Sequence, residues 1–288
     1  VSARLPTVAT LAGLTHVGTN RQTNEDSFRV SEVGGPLTRG PEELVARLAV
    51  EGGLVFGVYD GAGGASSGNL ASDASAKHVA ESLARGAHPS GPAELGAMLV
   101  RAVTAAGKSL DAEATTNPKL RGMGTTATVA AVAGRHVAVA QVGDSRGYLL
   151  RGRELVQLTR DDTLVEQMLQ EGRLSPEEAE SFPHKNVLLQ ILGNGAALRV
   201  AVSTFEARYE DVLLVCTDGL HGLIGDDVLR AVMLRHHAPG VAARVLVDEA
   251  LRAGGHDNIA LVVARLDGGD LETGAAALEV LWAERSGG

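Results

Sequence analysis

The chain has 288 residues, enough for one large domain or two small ones, and its 44% apolar and 21% charged content excludes global disorder. A formal charge of −9 argues against a broad electrostatic grip on nucleic acid or on an anionic membrane surface. One cysteine, Cys216, excludes an intrachain disulfide framework, and no apolar run reaches membrane-spanning length. No signal peptide is read at the start of the chain, so a soluble, cytoplasmic protein is expected.

Along the chain, short apolar runs predict strands buried on both faces at Leu54–Tyr59, Val137–Val142, Val212–Cys216 and Ile259–Ala264. Helical spacing lies between them, at Leu95, Met98, Leu99, Val103, Ala106 and Leu110, and again at Val228, Leu229, Val232 and Met233. Ser175-Pro176-Glu177-Glu178 carries the start of a further helix: a capping serine, a proline at the first helical position and a glutamate three residues after the cap. Strands of this kind joined by tight turns and helices predict an α+β sandwich. No Pro/Ser-rich linker interrupts residues 8–266, so one domain is expected. Segment 160–192, charged and holding two short helices, reads as an insertion lying over it. The tail, 267–288, places Leu271, Leu278, Leu281 and Trp282 at roughly helical spacing, and two readings stay open: a last helix packed on the domain, or a lead into a further region.

Position makes the acids informative. Two predicted strands run into the same dipeptide, Asp60-Gly61 and Asp218-Gly219; a third runs into Gly143-Asp144, and a fourth is entered through His256-Asp257-Asn258. Each alone is a common turn. Four at the mouths of buried strands carry more weight if the sheets bring those ends together. Like charges about 4 Å apart at an effective dielectric of 20 repel by roughly 4 kcal/mol per pair, so such a cluster must take up protons or divalent cations. All-oxygen donors favour Mg²⁺ or Mn²⁺ over Zn²⁺. Arg21, near Glu25 and Asp26, adds a guanidinium fork suited to two phosphate oxygens.

Taken in order, the segments Thr15–Gly18 through Arg21, Asn24-Glu25-Asp26, Val58–Gly64, Gly122–Thr126, Val142–Arg146, Leu158–Asp161, Asn186–Leu188, Leu192-Gly193, Thr217–Leu220 and Gly255–Ile259 resemble the protein phosphatase 2C family in its bacterial form. The resemblance implies a four-layer αββα sandwich of two antiparallel sheets flanked by helices. It implies hydrolysis of phosphoserine and phosphothreonine in proteins at two Mn²⁺ or Mg²⁺ ions, with a third possible. Asp60 would bridge two metals, the Gly61 carbonyl would bind one, and Asp218 and Asp257 the other. Glu25 would act through water, with Asp26 beside it; Arg21 would hold the phosphate; Asp144 with Asp218 would form the third site. Segment 160–192 would be the flap beside the active site. The implied partners are phosphoproteins of a serine/threonine kinase, acted on by a monomer, with no nucleic acid or membrane involved. Ala62 stands where many eukaryotic relatives carry a histidine, Asp162 where a flap histidine is frequent, and Gln190 where an arginine is frequent.

Other chemistries fit less well. Cys216 lies within an apolar strand with no phosphate loop after it, and Gly107-Lys108-Ser109 lacks the earlier glycine of a nucleotide loop, Ala102 standing there. A dinucleotide loop at Gly61–Gly64 would need glycine at Ser66. The histidines, His236-His237 included, lack zinc spacing. Two alternatives stay open: a catalytically weak pseudophosphatase that binds phosphoproteins, and a phosphatase of small metabolites.

Overall fold

Alternation along the strands decides the architecture. In a computed structural model, which describes residues 6–33, 37–39, 42–50, 52–63, 67–84, 88–117, 120, 122–184, 186–268, 271–274, 278 and 280–286, the strand Leu54–Tyr59 (β5) sends Leu54, Phe56 and Val58 to one side and Val55 and Tyr59 to the other. Residues Gly64 and Ser66 of the glycine-rich stretch lie outside those described. Val212–Cys216 (β13) divides likewise: Leu213 and Val215 join the Phe56 side, whereas Val212, Leu214 and Cys216 join a different apolar cluster. Such strands have no wet face, so the sheets they belong to must be covered on both sides.

They are. One sheet has six strands in the order Glu154–Gln157 (β11), Arg146–Arg151 (β10), β13, Ile259–Asp267 (β14), Val8–His16 (β1) and Glu43–Ala49 (β4). The other has seven: Leu281–Ser286 (β15), Arg199–Glu206 (β12), His136–Val142 (β9), Ala127–Ala133 (β8), β5, Ser27–Glu32 (β2) and Leu37–Arg39 (β3). Every pairing within them is antiparallel. Their inner faces meet through Phe28, Phe56, Leu149, Leu213 and Val262. Helices Gly68–Ala84 (α1) and Pro92–Thr116 (α2) cover the outer face of the seven-stranded sheet, and Asp226–Arg235 (α6) with Pro239–Arg252 (α7) that of the six-stranded one. The expected αββα sandwich is the observed fold, with three apolar layers between four structural ones. Cys216 is buried in the layer under α6 and α7, where loss of water pushes its thiol well above the usual range. Among the described residues no helix is long and apolar enough to cross a membrane.

Segment 160–192 holds two short helices, Leu164–Gln170 (α3) and Pro176–Glu180 (α4). Ser175 caps the second: its hydroxyl accepts from the Glu178 amide at 3.2 Å while the Glu178 carboxylate accepts from the Ser175 amide at 2.8 Å. The tail corrects the expectation of a last helix. Residues 281–286 form β15, paired with β12 from Thr204↔Leu281 to Arg199↔Ser286. A helix there would need its apolar stripe buried, but Leu281 is 70% and Trp282 50% exposed. What the segment satisfies is the open row of peptide groups along β12, an edge any extended chain can complete.

Candidate metal centre

Register brings the acids to one end of the sandwich. β5 finishes at Tyr59 where β2 begins at Ser27, and β9 finishes at Val142 opposite Ala127 at the start of β8. On the facing sheet, β13 finishes at Cys216 near the start of β14, where Ile259 pairs with His16 at the finish of β1. The residues just past those ends are Asp60, Asp144 and Asp218; those just before the starts are Glu25-Asp26 and Asp257. The turn Gly61–Ala62 (β6) pairs with Gly124–Thr125 (β7) beside them. Any side chain at Gly61 would strike the Gly68 and Glu25 carbonyls, and one at Gly68 would strike the Glu25 carboxylate; backbone and acid close on each other with no room for a methyl group.

Hydrogen bonds tie these ends together. Asp26, 7% exposed, accepts from the Thr217 hydroxyl at 2.7 Å, and the Asp60 amide donates to the Thr126 hydroxyl at 3.0 Å. The Asp144 carbonyl accepts from His221 Nε2 at 3.0 Å. Burial, with Arg146 nearby, pushes His221 down to about 3, so the ring is neutral and serves as a donor. Arg21 reaches from an exposed loop to Asp257 Oδ2 at 2.8 Å, and that bond raises its own pKa further. Asn258 was not singled out from the sequence, yet it joins that loop to β14. Its Oδ1 accepts from the Glu25 amide at 2.8 Å, and its Nδ2 donates to the Val17 and Thr23 carbonyls at 2.8 and 3.0 Å.

The electrostatics are strained in the way repulsion predicts. Burial first, then neighbouring carboxylates, raises Asp60 and Asp26 well above the usual range, and raises Asp218 as well. Asp144 is pushed up to about 7 by burial and by Asp218 and Asp161. Asp26 and Asp218 both act on Asp60 at close range, so these buried carboxyl groups hold protons that surface aspartates would release. Among the described residues no three His, Cys, Asp or Glu side chains stand together as a closed ligand group. Hard oxygen donors, buried and mutually repelling, suit divalent cations that would displace the protons such repulsion retains.

The sequence model of the family described as Protein phosphatase 2C matches residues 46–252. The chain belongs to that family. The serine/threonine protein phosphatase PstP of Mycobacterium tuberculosis is 38% identical over 217 residues, 74% of this chain and 40% of the relative, so the chain spans about two fifths of that relative's length. The serine/threonine phosphatase stp of Listeria monocytogenes is 33% identical over 212 residues, covering 73% of this chain and 83% of its own. A crystal structure of the PstP catalytic domain in complex with two manganese ions superposes with a TM-score of 0.72 at 31% identity, covering 91% of this chain and 99% of that one.

Within this member of the 2C family, two residues fasten segment 160–192 to the sandwich. Asp162 takes the Gly143 amide on its carboxylate at 2.9 Å while its own amide donates to the Gly143 carbonyl at 2.8 Å. Gly143 has a φ of +99° and packs against Thr126, so the loop before Asp144 is gripped from both sides. Gln190, the second departure, clasps the backbone of Arg199 in both directions, at 2.9 and 3.3 Å. Neither contact is visible in sequence spacing. The substitution Ala62 has no donor to offer the cleft.

Proposed function

We propose that this chain hydrolyses phosphoserine and phosphothreonine in proteins with water activated at two Mn²⁺ or Mg²⁺ ions, a third being possible. The ions would be held by Asp60, the Gly61 carbonyl, Asp218 and Asp257, with Glu25 acting through water and Asp144 serving the third position. When bound, the metals supply Lewis acidity that brings water near neutral ionisation and offsets charge on the phosphoryl oxygens. Arg21, on an exposed loop, turns its fork to two of those oxygens, its contact with Asp257 fixing where the loop stands. Asp26 receives the Thr217 hydroxyl and so ties the two sheets together beside Asp60. Asn258 holds Glu25 and Arg21 in one rigid turn. Water oxygen would bond to phosphorus as the bond to the substrate side-chain oxygen breaks, a proton from water passing to that leaving oxygen, so that phosphate and the free hydroxyl depart without a covalent enzyme intermediate. The partners are phosphoproteins made by a serine/threonine kinase, met by a monomer in the cytoplasm.

One observation carries this reading: Asp26, Asp60 and Asp218, buried and mutually repelling, meet at one edge of a 2C-family sandwich, with Asp26 tied across the sheets to Thr217. Ala62 favours the alternative, a catalytically weak pseudophosphatase that binds phosphoproteins, and one experiment separates the two. With Mn²⁺ the protein should release phosphate from a phosphothreonine peptide, EDTA should abolish release, and Asp218→Ala should lower it by at least about 10³-fold. Tight peptide binding with no phosphate release in Mn²⁺ would establish the binding module instead.

A further inference from the structure

The acids form only part of the cleft they occupy. It encloses about 550 Å³, with Asp144, Asp218 and Asp257 at one end. The rest of the lining is mixed: polar Thr163, Glu166, Asn186 and His256 stand beside five apolar side chains, Val165 and Leu169 of α3, Pro176 and Ala179 of α4, and Leu223 in the turn between Asp218–His221 (α5) and α6. Phosphate chemistry has no use for such a wall.

Its origin lies in segment 160–192. Leu164, Val165, Met168 and Leu169 form a stripe on α3 of the sort that normally turns to the core. Yet no residue of α3 is fully buried, and Val165 and Leu169, one turn apart, face the cleft. The same cleft carries Asp161 and Glu166 besides the three acids, while Arg146 is committed to Asp161 through contacts of 2.7 to 3.1 Å. A peptide bringing more negative charge would be repelled, and one bringing an apolar side chain would find a surface to cover.

We propose that the α3–α4 wall and Leu223 form an apolar subsite for a residue flanking the phosphorylated one, so that preferred substrates carry Leu, Ile, Met or Phe beside phosphoserine or phosphothreonine. The proposal rests on the hydrolytic reading above. Its occupant follows from continuity: wall and acids line one cavity, large enough for a phosphorylated residue and a neighbour.

The test uses the full chain with Mn²⁺ and three phosphothreonine peptides that differ only in Leu, Gly or Asp at the flanking positions, with p-nitrophenyl phosphate as a probe too small to reach the wall. The Leu peptide should exceed the Gly peptide by about tenfold or more in kcat/KM, and the Asp peptide should be poorest. Leu169→Ser combined with Leu223→Ser should erase the Leu-over-Gly ratio while hydrolysis of p-nitrophenyl phosphate and the melting temperature hold. Equal rates on Leu and Gly peptides in the unaltered chain would overturn the proposal, as would a ratio that survives the double replacement. So would a concentration-dependent dimer abolished by those replacements, which would assign the wall to a second copy. If p-nitrophenyl phosphate and every peptide stay intact, hydrolysis itself has failed, and fluorescence-anisotropy binding of the same peptides then decides the subsite by the same ratio.

Discussion

Arg21 and Asp257 show how one contact can serve two purposes. The guanidinium is more than half exposed, so its pairing with Asp257 contributes little to stability; its value is in pointing a fork toward the acid edge. Arg21→Ala should therefore leave the fold and manganese affinity intact while lowering kcat/KM on phosphopeptide by about 10²–10³, as for other preorganised donors, and Arg21→Lys should recover only part of that loss. Steady-state kinetics with a parallel calorimetric manganese titration checks the split. Asp144 gives a second test, with the opposite sign from an ordinary surface aspartate. Its folded pKa, near 7, lies above the value of a free aspartate, so the folded state holds the proton more tightly and this group's stabilising share is lost as pH rises from about 4 through 7. In EDTA, Asp144→Asn should melt higher than the unaltered chain at pH 8, and that advantage should shrink as pH falls toward 4. Saturating Mn²⁺ at pH 8 should reverse the order.

At the scale of elements, β5, β13 and α2 were legible because apolar period and burial agree in them: Leu54–Tyr59 and Val212–Cys216 are observed at the expected bounds. The Ser175 capping box was legible because it is a local device of four residues. The tail was not. Leu278, Leu281 and Trp282 fit a helical spacing, but the free edge of β12, more than seventy residues earlier in the chain, decides their conformation. The same limit hides the Asp162 grip on Gly143, a contact nineteen residues long in sequence whose partner is a peptide group. That grip fastens the start of segment 160–192 to the loop before Asp144. Asp162→Ala should speed amide exchange across 163–188 while β8 and β9 stay protected, and Asp162→Asn, which keeps an acceptor for the Gly143 amide, should restore much of the protection. Unchanged exchange in the alanine variant would detach the segment from this residue.

Across the whole molecule, the site depends on two sheets that share no strand yet present their ends to one edge. Asp26, Asp60 and Asp144 come from the seven-stranded sheet, and Asp218 and Asp257 from its partner. The convergence could be argued from sequence only as a consequence of charge; the register of β1 on β14 and of β2 on β5 supplies it physically. The side chains that stiffen it, Asn258, Thr217 and His221, are polar residues whose spacing announces nothing. The lone thiol offers a way to watch this assembly hold or fail. Cys216 sits two residues before Asp218 on the covered side of β13, where no reagent can reach it while α6 and α7 remain seated. A brief alkylation pulse therefore labels only molecules whose outer layer has lifted, and counting labelled chains with and without manganese tests whether the metal steadies that layer.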